Sequence, residues 1–149
     1  MPNWCQNQLT VSGPPAEVHR FKEKAVGQSP WLSPEEVSRE GPDPLSFHSL
    51  CPVPEALVKE GYSEAAYDWE LENWGCKWGA REVQLLDELN GRVLYAFDTA
   101  WAPPMEFIEH VSKEWPLLAF ELAYEEGGMC FKGIAKAQAG QLDDQCVTF

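Results

Sequence analysis

The sequence is poor in positive charge: 11 Lys and Arg stand against 24 Asp and Glu in 149 residues, a net −13. Proteins that grip nucleic acid neutralise its phosphates with clustered Lys and Arg, and no such cluster occurs, which argues against a nucleic-acid partner. No apolar run approaches the roughly 18 residues of a bilayer span, so no membrane segment is expected. The start, M-P-N-W-C-Q-N, lacks a basic-then-apolar leader profile. There is no C-x-x-C. Cys5, Cys51, Cys76, Cys130 and Cys146 form an odd, scattered set, and His19, His48 and His110 lie far apart. Without zinc-like spacing, the expectation is no metal and no cofactor, with free thiols in a reducing cytoplasm. Gly127-Gly128 has neither the lysine nor the spacing of a phosphate-cradling loop.

What is present is ordinary globular composition, 44% hydrophobic and 23% charged, at a length that fits one domain over residues 1–149. The acidity is uneven: residues 28–76 carry −8 of the −13. Asn3–Val11 reads as a strand. Pro14-Pro15 opens a helix over Pro15–Ala25, with Val18, Phe21 and Ala25 on one face. From Gln28 the chain is irregular and rich in Pro, Ser and Glu, with one capped turn at Ser33-Pro34-Glu35-Glu36. Leu45–Leu50 resembles a brief strand, and Glu55–Glu60 a short helix. Ser63 caps another helix, along which Tyr67, Leu71, Trp74 and Trp78 fall on one face and which is expected to fray near Gly75.

Asn90-Gly91 is the strongest local signal, because both residues tolerate positive φ in a tight turn; it joins Glu82–Leu89 to Arg92–Ala100 as a hairpin. After Pro103-Pro104 comes a helix with Phe107, Ile108, Val111 and Trp115 on its buried side, stopped by Pro116. Leu118, Phe120, Leu122 and Tyr124 alternate as a half-buried strand, and Met129–Ala137 returns as another. Gln141–Phe149 forms an edge strand or simply packs. Two helices against a mainly antiparallel sheet is an α+β layer arrangement, with an acidic helical insertion at about 28–76.

Seven tryptophans are present, and each buries roughly 150–250 Å², so several belong to the core. Trp4 and Trp115 read as structural. Trp69, Trp74 and Trp78 are too closely spaced to share one direction. Asn73, Trp74, Lys77 and Trp78 lie within six residues, and Asp98 and Trp101 close the neighbouring hairpin strand. Those six are the candidate binding residues for a ligand or partner. Lys77 is a rare cation among acids and is expected to pair with Asp98 or Glu72. The group reads as an aromatic-walled groove or as a clamp tying the insertion to the sheet, and the sequence favours the clamp. No catalytic residue is assigned. Cys5 or Cys76 with His48 or His110 would be needed for a covalent mechanism, and nothing in the sequence brings them together.

Several motifs stand in order along nearly the whole chain: M-P-N-W-C-Q-N-Q-L-T-V-S-G-P, F-H-S-L-C-P-V-P-E, Y-D-W-E-L-E-N-W-G-C-K-W, F-D-T-A-W-A-P-P and Y-E-E-G-G-M-C-F-K-G. With them the chain resembles the YubB-type ferredoxin-like domain family; Cys76 stands where the motif carries a small hydroxylated residue. The resemblance implies a ferredoxin-like α+β sandwich and association with bacterial plasmids, phages and integrated elements. It implies no catalytic residues and no iron–sulfur cluster, because the name describes topology. The expected function is an intracellular, non-enzymatic interaction module with a protein partner. A small enzyme with its pocket near Trp74, Lys77 and Trp101 is one alternative, and an acidic inhibitor imitating nucleic acid is another.

Overall fold

The computed structural model describes residues 2–149. Strand β1 (Trp4–Ser12) leads into helix α1 (Pro15–Ala25), and four short helices follow: α2 (Pro34–Glu40), α3 (Phe47–Leu50), α4 (Glu55–Glu60) and α5 (Glu64–Asn73). The hairpin β2 (Arg81–Leu89) and β3 (Arg92–Ala100) turns at Asn90-Gly91. Helix α6 (Met105–Glu114) and strands β4 (Ala119–Glu126), β5 (Phe131–Gln138) and β6 (Gln141–Thr148) complete the chain.

The strands form one antiparallel sheet in the order β2-β3-β1-β4-β5-β6. The unit β1-α1-β2-β3-α6-β4 is a ferredoxin-like α+β fold, with α2–α5 inserted before β2 and the β5–β6 hairpin widening the sheet. Alternation decides which face each residue takes. Leu9 and Val11 of β1, Val93, Tyr95 and Phe97 of β3, and Phe120, Leu122 and Tyr124 of β4 are buried under the helices. Phe21 of α1 meets Trp115 and Phe120 edge-on at 5.4 and 5.5 Å, while Phe47 of α3 stacks on Phe107 of α6 at 4.0 Å. Edge strand β2 carries two bulges, between Arg81 and Gln84 and between Leu85 and Asp87, and Glu82 takes φ +52° in the first.

Three local expectations change. Leu45–Leu50 is not a strand: the Ser46 hydroxyl accepts from the Ser49 N–H and caps the four-residue α3. The face Tyr67–Leu71–Trp74–Trp78 does not form, because α5 ends at Asn73 and buries Ala66 and Glu70 instead. Tyr67 and Leu71 point to solvent, and Trp78 sits at φ +71° outside any helix. The returning strand begins at Phe131 rather than Met129, because Glu126 accepts from the Gly128 and Met129 N–H groups and holds residues 127–130 as a turn.

Candidate functional site

The six candidate residues occupy distinct settings. Trp74 is 1% exposed and belongs to the core, where its indole N–H donates to the Cys51 carbonyl at 3.0 Å and its ring packs edge-on to Trp69 and Phe47. Asn73 closes α5 by donating from Nδ2 to the Trp69 carbonyl. Lys77 pairs with neither Asp98 nor Glu72; its ammonium lies 4.0 Å from the centre of the Trp78 ring. Trp78 tilts against Trp4 at 6.4 Å, and the Arg81 guanidinium lies 5.6 Å from the Trp4 ring, so two cations and two indoles form one ladder. Asp98 lies across the sheet between Gln6 and Arg81. Burial and then the charge of Glu82 push its carboxyl above the ordinary value. Trp101 follows β3 at φ +69°, donates its backbone N–H to the Asn3 carbonyl and is 46% exposed.

What ties the insertion down is Glu70, a fully buried carboxylate on α5. It accepts from the Trp31 indole N–H at 2.9 Å, the Tyr62 hydroxyl at 2.7 Å and the Trp78 backbone N–H at 3.0 Å. Trp31 and Tyr62 also pack edge-on, with centroids 5.1 Å apart. Burial and then Glu70 hold the Tyr62 phenol in its neutral form, the form that donates. Three segments of the insertion thus meet the chain entering β2. The sequence places Glu70 in a run of acids with Asp68 and Glu72, and gives no sign that its donors come from residues 31, 62 and 78.

Cys5 and Cys76 are buried thiols, held in the protonated form that is a poor nucleophile. Burial pushes Cys5 up to about 12, and burial followed by the Glu70 charge pushes Cys76 further. His48 accepts the Val53 N–H at Nδ1, which fixes its neutral form; burial lowers its pKa in the same direction. No group of three or more metal-ligating side chains occurs among the described residues.

Two concavities bear on the candidate residues. One, of about 570 Å³, lies between the insertion and β2, with Trp31 and Trp78 beside Glu36, Glu40, Asp43 and Glu82. Burial and then Glu40 and Glu82 raise the Asp43 carboxyl. The other, of about 800 Å³, is the sheet face that no helix covers, and Asp98 lines it. The registers set side chains there in rows across all six strands. One row is Arg81, Asp98, Gln6, Glu125, Lys132 and Val147; the next is Gln84, Ala96, Gln8, Ala123, Ile134 and Gln145. Its floor is small, amide and charged, and the Lys132 ammonium lies 5.4 Å from the ring centre of the exposed Phe149 at its margin. Ile134 and Val147 expose about half their surface there. The polar alternation Gln6, Gln8, Thr10 in β1 was the sequence signal for this face.

Residues 73–148 match the family model described as the ferredoxin-like domain in Api92-like protein. The whole chain is similar to the crystal structure of a protein Api92 from Yersinia pseudotuberculosis, with a TM-score of 0.72 at 10% identity over 100% of this chain and 98% of that one. At that identity the likeness shows the fold. No curated protein matches the chain.

Proposed function

Because the chain belongs to the family of the ferredoxin-like domain in Api92-like protein, we propose that it is a non-enzymatic interaction module that binds a protein partner through the open face of its sheet. The observation that carries this is the uncovered six-strand face, a hollow of about 800 Å³ bearing both apolar side chains and charges of both signs. Neither Asp98 nor Lys132 is in an ion pair among the described residues. The tryptophan-rich cluster acts as the clamp, which leaves the face free to vary in partner without disturbing the insertion. The chain is an accessory protein of a mobile genetic element, working in the cytoplasm; its motif resemblance and its five unpaired cysteines support that placement.

The test is site-specific photo-crosslinking in the native host. A benzophenone side chain at Gln8 or Ala123, on the open face, is compared with one at His19, on the helical side. Protein adducts concentrated at the two sheet positions support the reading. Adducts equally frequent at His19, or absent from the sheet positions, overturn it.

A further inference from the structure

The open face is self-complementary. In the row Gln84, Ala96, Gln8, Ala123, Ile134, Gln145, large and small side chains are placed so that reading it backwards sets each small residue against a large one. Ile134 meets Ala96, Gln8 meets Ala123, and the terminal amides of Gln84 and Gln145 meet each other. In the neighbouring row, reversal sets Asp98 opposite Lys132, Gln6 opposite Glu125 and, at the ends, Arg81 opposite Val147.

We propose that the partner of this face is a second copy of the chain, stacked sheet to sheet about a two-fold axis that runs parallel to the strands between β1 and β4. That axis passes through the middle of the order β2-β3-β1-β4-β5-β6, so the two copies cover each other fully. The contact is isologous, with each Asp98 on one copy facing Lys132 on the other, twice per dimer. A two-fold axis perpendicular to the strands is excluded by charge, because it lays Lys132 on Lys136 and Glu125 on Glu121. With the parallel axis, the one like-signed pairing is Asp87 with Asp143 at the rim, and Asp87 already holds Arg92 at 3.3 Å.

Six strands about 4.8 Å apart and three rows along them give a patch of roughly 500 Å² per copy, or roughly 1,000 Å² in total. That is the size at which specific contacts begin, so the dimer is a concentration-dependent one. Sheets stacked this way cross at about 30° because each is twisted, which keeps the central row in closest register.

This inference rests on the interaction-module reading and narrows it to one partner. Sedimentation equilibrium on the full chain, from micromolar to millimolar concentration, tests it. The wild type should shift from monomer to dimer. Asp98→Lys and Lys132→Asp should each weaken dimerisation about tenfold or more, and the double exchange should restore most of it. Circular dichroism checks that each variant folds, and the restored double variant keeps the result informative if a single variant is unstable. A wild type that is monomeric throughout, or a dimer indifferent to both exchanges, overturns the inference. A monomer whose Gln8 and Ala123 adducts contain only other proteins sinks the self-pairing and leaves the module reading standing; a monomer with no adducts sinks both.

Discussion

Trp31 donates its indole N–H to Oε2 of Glu70 across 39 positions of sequence, at 2.9 Å, and this bond fixes where the insertion sits. The other oxygen of Glu70 is shared between the Tyr62 hydroxyl and the Trp78 backbone. One carboxylate therefore satisfies three donors that a purely apolar residue would leave unpaired.

Glu70→Ala should cost about 3 kcal/mol or more, since it strands buried donors and opens a cavity. Glu70→Gln keeps the volume but turns an amide N–H₂ toward a donor, and should fall between the two. Urea denaturation with tryptophan fluorescence measures both. Equal stability of Glu70→Ala and wild type would remove Glu70 from its role as the anchor.

His48 gives a signed pH dependence. Burial lowers its pKa below the ordinary 6.5, so the unfolded chain takes up the proton first. Stability from this group is complete above pH 6.5 and is lost as pH falls from there through the folded value. His48→Asn offers an acceptor to the Val53 N–H without titrating, and its melting temperature should vary less over that interval.

Asp43 works in the opposite sense. Its folded pKa is raised, so its charge disfavours folding above that value, and stability falls as pH rises through the window that starts near 3.8. Asp43→Asn should be more stable than wild type at neutral pH, with the gain disappearing below pH 3.8. A gain of the same size at both ends would assign the effect to something other than charge.

Gly133 in β5 has no room for a side chain. A methyl there would strike the Tyr124 hydroxyl and lie 2.5 Å from the Gln145 carbonyl oxygen, which belongs to the β6 backbone. Gly133→Ala should lose about 2 kcal/mol and break the 2.6 Å bond from Tyr124 to Asp144, which hydrogen exchange in β6 reads out.

Thiol chemistry should divide the cysteines. Cys130 and Cys146 are exposed and should react with iodoacetamide in the native protein, whereas Cys5, Cys51 and Cys76 are buried with raised pKa values. Mass spectrometry after a short exposure should find two modified positions, and all five only after unfolding.

Local chemistry was legible and tertiary chemistry was not. Asn90-Gly91 announced its hairpin because a tight turn depends on two adjacent residues. The alternation Leu118–Phe120–Leu122–Tyr124 announced β4, since burial on one face has a period of two. Helix α5 ends at Asn73, close to the glycine at which it was expected to fray, since Gly75 takes φ +85° and donates to the Glu70 carbonyl. What spacing alone does not show is that the Trp78 N–H then turns back to the Glu70 side chain. Trp74 is one of the six candidate residues, and its burial against Phe47 and Trp69 makes it scaffold. Lys77 was expected to seek a carboxylate and lies instead on an indole face, where two rings and Arg81 continue the ladder.

The two margins of the sheet are unequal, and this limits how the molecule can aggregate. β2 is kinked twice and offers no straight run of free backbone groups, whereas β6 pairs regularly with β5 along all eight residues. Strand-by-strand recruitment is thus open on one flank only. Two molecules joined along β6 present a crooked border on either side, so accretion by that route halts at a pair and a growing cross-β fibre has no second end to build from.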